Sequence, residues 1–432
     1  MNSGLSDLLA IGIPVILIGM LTLGMMVHRE LGPFVGLGLG GKWMLSLALG
    51  MGILAFGLKV GVALLLGRAP EATVERLSSN PFVHGPMPAA DRIGLVNPAP
   101  PRPGNYVWEV LPARAPEPAE NPATPAKIAL GKRLFYEKRL SGDGALACAS
   151  CHDLYEKAGA DGRPTAEGIA GQRGVRNVPT VWNAAFQSVL FWDGRAPSLE
   201  AQAKGPILNP IEMGLAAPAE AERLLSADPS YRADFARAFG DDQPISFERI
   251  VQAIAAFERT LITADSPYDR FVRGQGDALS RAQLRGMALF ESVGCVLCHR
   301  GPNFSDASLL GGQSPWRFFP ANATPYEEKY RLLTESGERG VWRVPSLRNV
   351  ALTGPWLHNG SVDKLDEVVR IMASAQLGRS ADYLGWLNQD SSLGKLDRTP
   401  LSDREVRDIV AFLEALSSDA LRATSPRTPP GG

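Results

Sequence analysis

The four cysteines of this chain lie in two short motifs of the same form. Residues 148–152 read CASCH and residues 295–299 read CVLCH, so each cysteine pair is followed directly by a histidine. Such a pattern could mark disulfides, a zinc site, a redox dithiol or the covalent attachment of haem. Four cysteines in 432 residues are too few for a disulfide-stabilised fold.

The histidine that follows each pair favours haem. Two thiols can form thioether bonds to the haem vinyl groups, and the next histidine then reaches the iron. A tetrahedral zinc site needs no histidine at this position, and a redox dithiol of the thioredoxin type needs a βαβ unit, which the sequence does not show. The sequence therefore predicts two covalently bound haems c. One is held by Cys148, Cys151 and His152, and the other by Cys295, Cys298 and His299.

The second axial ligand of each iron determines the role of that haem. The remaining histidines and the main methionines of the body are His28, His84, His358, Met213, Met287 and Met372. His28 and His84 lie in the N-terminal segments, away from the motifs. A methionine is more often part of a hydrophobic core than a ligand, so composition leaves this choice open.

The part of the chain that carries the motifs is predicted to be mostly helical. Capping signals open helices at Thr124, Ser280 and Ser402, and residues 247–262 repeat apolar side chains with helical spacing. Alternation typical of strands is scarce.

An internal repeat indicates two related modules. GKRLF at 131–135 precedes the first motif, and GMALF at 286–290 precedes the second. The motifs are about one domain length apart. We therefore expect one haem in each module.

The N-terminal residues are predicted to form a membrane anchor. Residues 8–27 carry no charge, and residues 43–66 are interrupted only by Lys59; each stretch could span a bilayer as a helix. A cleavable signal peptide is the alternative, but the first stretch lacks a basic leading region and a clear cleavage site. We expect a hairpin in the bacterial inner membrane with the haem domains in the periplasm, since haem c is attached outside the cytoplasm.

The fold class that we predict is mostly α, with two cytochrome c-like haem domains preceded by a two-helix transmembrane hairpin and a proline-rich tether. Twelve of the 34 prolines lie between residues 81 and 125, which predicts an extended segment. The predicted domains are a hairpin over 1–68, a tether over 69–121, haem domains over 122–265 and 266–417, and a flexible tail over 418–432. A net charge of -1 gives no indication of a nucleic-acid partner.

From about residue 122 to 417 the sequence resembles the bacterial dihaem cytochrome c peroxidases, a family that includes the MauG-type enzymes. The stretches that carry the resemblance are LGKRLFYEKRLSGDGALACASCH, RNVPTVWNAAFQSVLFWDGRA, EAQAKGPILNPIEM, TLITADSPYDRF, VPSLRNVALTGPWLHNGSV and IMASAQLG. The resemblance implies that the C-terminal haem receives electrons and that the N-terminal haem reacts with hydrogen peroxide.

The resemblance also implies roles for single residues. Met372 matches the methionine that ligates the electron-transfer haem, where MauG-type enzymes use a tyrosine. Trp192 matches a tryptophan between the haems. Gln202 and Glu212 match residues on the distal side of the peroxide haem, where a carboxyl group could move the proton that O–O cleavage requires.

A calcium site between the domains is implied at Asn177, Thr353 and Pro355, since oxygen ligands suit calcium. His358 matches a histidine near the domain interface, which we interpret as structural and bonded to a haem propionate.

One departure from the family pattern concerns the peroxide haem. Many members carry a second histidine ligand there, in a loop that reads roughly SIGHGWQ. Here residues 166–172 read AEGIAGQ, and the histidine position falls on Ile169. Isoleucine cannot ligate iron, so this haem is predicted to be five-coordinate or water-bound at rest.

The leading functional prediction is a peroxidase that takes electrons from a cytochrome c or a cupredoxin, with quinol as a further donor that a membrane anchor would allow. The first alternative is a MauG-like oxidase acting on tryptophan or tyrosine of a protein partner. The second is a dihaem cytochrome that only transfers electrons. The sequence leaves open whether the chain forms a homodimer.

Overall fold

The structure, a computed structural model, describes residues 106–379 and 400–424. The predicted membrane hairpin, most of the predicted tether and residues 425–432 lie outside the described residues. Within the two described ranges, no helix is both long and apolar enough to cross a membrane.

The described residues are mostly helical, as the sequence predicts. The α-helices are α1 (Pro125–Phe135), α2 (Cys148–Cys151), α3 (Leu199–Leu208), α4 (Pro218–Ser226), α5 (Pro229–Phe239), α6 (Phe247–Glu258), α7 (Pro267–Val272), α8 (Arg281–Ser292), α9 (Tyr326–Lys329), α10 (Leu365–Ile371), α11 (Asp403–Ala415) and α12 (Asp419–Thr424). Short 3-10 turns lie at Lys138–Leu140, Ile169–Gly171, Ala184–Phe186, Cys295–Leu297 and Val350–Leu352, and a π turn at Met372–Gln376. Strands β1 (Trp316–Phe319) and β2 (Gly340–Arg343) pair antiparallel, with Trp316 opposite Arg343.

The predicted helix starts are confirmed. The hydroxyl of Thr124 accepts a hydrogen bond from the backbone N–H of Lys127 at the start of α1. Ser280 and Ser402 open α8 and α11 with capping boxes, in which the serine and the residue three positions later bond each other's backbone. These caps satisfy N–H groups that a helix start would otherwise leave without partners.

The internal repeat corresponds to the same helix crossing in both modules. Helix α1 packs on α6, and α8 packs on α11. A Cβ added to Gly131 would lie 1.8 Å from the carbonyl oxygen of Ala253, and one added to Gly286 would lie 1.8 Å from that of Asp408. The glycine of each repeat is therefore the point at which two helix backbones touch.

A buried polar junction joins the two modules. Asn183 and Asn349 both adopt left-handed backbone conformations, with φ of 62° and 61°. The amide groups of both asparagines donate to the hydroxyl of Thr263, over 2.8 and 2.9 Å. Equivalent turns of the two modules thus share one buried hydrogen-bond acceptor.

Residues 106–121, the end of the predicted tether, pack on the folded body, and the predicted start of that body at residue 122 is wrong. Trp108 is buried against Tyr268, Phe304 and Phe412, with ring centroids 5.7–6.2 Å apart. Apolar side chains between the prolines give the extended segment an inner face to bury.

The predicted flexible tail is also wrong for its first residues. Residues 419–424 form α12, and Leu421 is buried. The backbone N–H of Ser418 donates to the side chain of Asn349 over 2.9 Å, which fixes the start of this helix against the second module.

The helix crossings predict a stability defect. Gly286→Ala should destabilise the protein by about 1–3 kcal/mol or more, because the added methyl group forces α8 and α11 apart. Gly131→Ala should do the same between α1 and α6. Denaturant unfolding of the purified variants measures the effect.

Gly174→Ala is the matched control, since a Cβ at Gly174 meets nothing closer than 3.8 Å. If Gly286→Ala and Gly174→Ala have the same free energy of unfolding, the close contact of α8 and α11 at Gly286 is contradicted.

Candidate active site

One cavity of about 640 Å³ reaches both cysteine–histidine motifs. Its wall includes Cys148, Cys151 and His152 from the first motif, and Cys298 and His299 from the second. The remaining cysteine of the second motif, Cys295, packs against the hydrophobic core of that module. The motifs that the sequence separates by a domain length therefore meet at one cavity.

The four cysteines form no disulfide. Burial raises the pKa of Cys148 and of Cys295 to about 12 and that of Cys151 to about 11, so these side chains are thiols at neutral pH. In the described part of the chain, no group of three or more histidine, cysteine or acidic side chains could hold a metal ion. The disulfide and zinc interpretations therefore gain no support, whereas half-buried thiols beside a cavity fit thioether attachment of haem.

Both motif histidines are held in the form that ligates iron. The Nδ1 atom of His152 lies 3.0 Å from the carbonyl oxygen of Gly159, and that of His299 lies 3.1 Å from the carbonyl oxygen of Phe304. A proton on Nδ1 satisfies these contacts and leaves Nε2 free as a ligand. Burial lowers the pKa of both imidazoles, that of His299 to about 4, so both are neutral. The donor sets thus fit two haems.

Glu212 lies on the cavity wall with its carboxyl group held in place. The side-chain Nδ2 of Asn209 donates to Glu212 Oε1 over 2.7 Å. Burial raises the pKa of Glu212, while the bond from Asn209 and the charge of Arg195 act in the opposite direction. The structure thus provides a fixed, partly desolvated carboxyl group that can take up and release a proton.

The loop without a histidine packs directly on the Glu212 segment. The backbone N–H of Ile169 donates to the carbonyl oxygen of Glu212 over 2.8 Å. A Cβ on Gly168 would lie 2.0 Å from the carbonyl oxygen of Ile211. The Ile169 side chain packs beside Gly214, and Gly168 is the residue of this pair that lines the cavity.

Gln202 and Trp192, the other predicted catalytic residues, also line the cavity. Gln202 lies on α3, after the Ser198 cap. The indole N–H of Trp192 donates to the backbone oxygen of Asn177 over 2.9 Å. Glu212, Gln202 and Trp192 thus line the same cavity.

His358 lies in an aromatic cluster within the cavity wall. Its ring stacks on Trp342 with centroids 4.4 Å apart, and its edges face Trp192 and Phe319 at 6.4 Å. Burial, reinforced by the charge of Arg176, lowers the pKa of His358 to about 4. A neutral, packed imidazole agrees with a structural role.

Two of the three candidate methionines line the cavity. Met372 begins the π turn after α10, and Met213 follows Glu212. Met287 is buried in the core of the second module. A π turn inside a helix is often found at functional sites, and here it places Met372 at the wall.

Of the three predicted calcium residues, Asn177 and Thr353 line the cavity. The backbone N–H of Asn177 donates to the carbonyl oxygen of His358 over 2.9 Å, which joins it to the segment that holds Thr353 and Pro355. The side-chain nitrogen of Asn177 donates to the carbonyl oxygens of Arg163 and Pro164.

Sequence reasoning missed two buried ionisable residues of the cavity wall, Glu258 and Arg343. Burial raises the pKa of Glu258 to about 8 and lowers that of Arg343 to about 10. Glu258 ends the apolar face of α6, where a charged residue is unexpected. That break in the pattern was the available signal.

Comparisons with known proteins give consistent results. A family model described as di-haem cytochrome c peroxidase matches residues 125–277. The chain is 38% identical over 335 residues to cytochrome c551 peroxidase of Pseudomonas aeruginosa, covering 75% of this chain and 88% of the relative. It is 36% identical over 327 residues to the methylamine utilization protein MauG of Methylorubrum extorquens, covering 74% of this chain and 86% of the relative. A solved MauG-like protein associated with microbial copper homeostasis aligns with a TM-score of 0.60 and 32% identity, over 74% of this chain and 96% of that one.

Proposed function

The chain belongs to the dihaem cytochrome c peroxidase and MauG family, and from this premise we propose that it reduces hydrogen peroxide with electrons from a cytochrome c or a cupredoxin. The reaction consumes two electrons and two protons and yields two molecules of water. The observation that carries the proposal is the cavity shared by both motifs, with Glu212 on its wall.

The chain's own residues supply binding, orientation and proton transfer. His152 and His299 would ligate the haem irons, and the four cysteines would form the thioether bonds. When bound, the haems would supply the transfer of single electrons and the redox chemistry of the peroxide. Glu212 would move a proton from one peroxide oxygen to the departing one, and Gln202 would orient peroxide by hydrogen bonding.

The two haems would have different roles. Electrons would enter at the haem of His299, whose second ligand would be Met372, since a methionine ligand raises the reduction potential. Trp192 would lie on their route to the haem of His152. That haem would be open at rest, because the loop that packs on Glu212 contains no histidine.

This proposal predicts the resting spectrum. The oxidised protein should show one high-spin and one low-spin haem by EPR and optical spectroscopy, because only one iron has a second protein ligand. One equivalent of peroxide should react without prior reduction. Two low-spin signals at rest would contradict the open first haem.

A MauG-like oxidase is the second candidate, and the similarity to MauG and to a MauG-like structure favours it. The two functions differ in the electron donor. Steady turnover of peroxide with reduced cytochrome c supports the peroxidase. Peroxide-dependent modification of tryptophan or tyrosine in a partner protein, without such turnover, would support the oxidase.

We propose further that the N-terminal residues anchor the protein in the bacterial inner membrane, with the haem domains in the periplasm. Asn177, Thr353 and Pro355 would bind one calcium ion with side-chain and backbone oxygens. The bond from Asn177 to the carbonyl oxygen of His358, and the place of Asn177 and Thr353 on one cavity wall, support this site.

A further inference from the structure

Four arginines line the cavity, and one of them has no carboxylate partner among the described residues. The paired ones are Arg176 with Glu335, Arg195 with Asp193 and Arg317 with Asp306. For Arg343, no carboxylate of the described residues lies within ion-pair distance. It is also the most enclosed of the four, at 6% exposed.

The hydrogen bonds of Arg343 end on neutral acceptors. Its Nε donates to the carbonyl oxygen of Phe191 over 2.9 Å, and its Nη1 donates to the side-chain oxygen of Gln187 over 3.1 Å. A guanidinium group has five N–H donors, and the described residues accept from two of them. The other donors are available to a group inside the cavity.

The charge of Arg343 persists despite this burial. Burial lowers its pKa to about 10, and no charged neighbour contributes to the shift. The side chain is therefore a cation at neutral pH. A buried cation without a counter-ion is strongly unfavourable, so a group that contacts Arg343 from the cavity should be an anion.

We propose that Arg343 binds a haem propionate at the wall between the two haem pockets. This inference rests on the proposed function, because the carboxylate is brought by the covalently bound haem. Planar guanidinium and carboxylate groups match in a two-bond geometry, and the donors left on Arg343 suit such a pair. The haem of His152 and the haem of His299 both carry propionates. The variants of Arg343 described below distinguish which of the two haems binds Arg343.

The position of Arg343 links this contact to Trp192. Its backbone N–H donates to the carbonyl oxygen of Trp192 over 2.7 Å, and its side chain holds the preceding residue, Phe191. Arg343 belongs to β2 in the second module, whereas Trp192 belongs to the first. Arg343 is thus a positioning residue that fixes both a propionate and the tryptophan loop.

The test compares Arg343→Gln with Arg343→Lys in the full-length protein with its haems. Haem content per chain is measured first, and then the reduction potential of each haem by spectroelectrochemical titration. Loss of the cation should make reduction less favourable. In the glutamine variant the equilibrium constant for reduction of one haem should therefore fall about tenfold, which lowers the reduction potential of that haem by about 59 mV for one electron. The lysine variant should keep potentials close to those of the unmodified protein. The haem whose potential shifts in the glutamine variant is the one whose propionate binds Arg343.

Arg176→Gln is the control, since it removes an arginine of the same wall whose charge Glu335 already balances; its potentials should change less. Unchanged potentials in the glutamine variant with both haems bound would overturn the proposal. Equal shifts of the reduction potential in Arg343→Gln and Arg343→Lys would also overturn it, as would loss of haem from both variants. Either result would give Arg343 a purely structural role. Absence of haem from the unmodified protein would instead refute the proposed function.

Discussion

Glu212→Gln should slow the reaction with hydrogen peroxide by about 10²–10⁴-fold, the usual effect of losing an acid–base group. Cleavage of the O–O bond needs a proton moved between the two oxygens, and an amide cannot exchange it. The glutamine keeps the volume of the side chain and an oxygen that can accept the 2.7 Å bond from Asn209. Stopped-flow mixing of the protein with peroxide measures the rate directly.

The matched control is Glu167→Gln, which changes a second carboxylate of the cavity wall. The side chain of Glu167 is 40% exposed and pairs with Arg163, so a solvated charge is lost and the rate should change by less than about tenfold. The resting spectra of both variants should match that of the unmodified protein. Equal rates for the two variants would remove Glu212 as the proton carrier.

The features that the sequence predicts correctly are encoded locally. The helix starts at Thr124, Ser280 and Ser402 depend on side chains three positions apart. The repeated glycine is visible in the sequence as well. Its function is not, because the partner backbones belong to helices far along the chain.

The features that sequence reasoning missed depend on contacts over long separations. Thr263 acquires its role only when the turns of Asn183 and Asn349 meet it. Arg343 stands in a short strand of ordinary composition, and its isolation from carboxylates is a property of the folded cavity. The proline content of residues 106–121 predicts an extended chain. It gives no sign that Trp108 is buried and that this segment therefore packs on the folded body.

Family resemblance supplied what local patterns could not. Glu212, Gln202 and Trp192 carry no signal of their own in a single sequence, yet all three line the cavity. The loop at 166–172 shows the limit of such transfer. Its histidine position matches Ile169, whose side chain packs beside Gly214, while Gly168 provides the wall of the cavity.

Met372→Leu should convert the second haem from low-spin to high-spin and lower its reduction potential. Leucine has a similar volume and can pack against the same apolar cluster of the second module, so the loss is confined to the sulfur ligand. A methionine ligand favours the reduced iron, and without it electron entry from the donor should fail. Optical and EPR spectra, with a redox titration, measure these changes.

Two other methionines of the chain provide controls that distinguish ligation from packing. Met287→Leu alters a buried core residue away from the cavity wall, and neither haem spectrum should change. Met213→Leu alters a residue of the wall beside Glu212, and it should leave the second haem low-spin. Met372→His should restore a low-spin second haem at a lower potential than that of the unmodified protein, because imidazole replaces the sulfur. If the second haem of Met372→Leu keeps its low-spin spectrum while that of Met213→Leu loses it, the ligand is Met213, and the π turn at Met372 serves the packing of the second module.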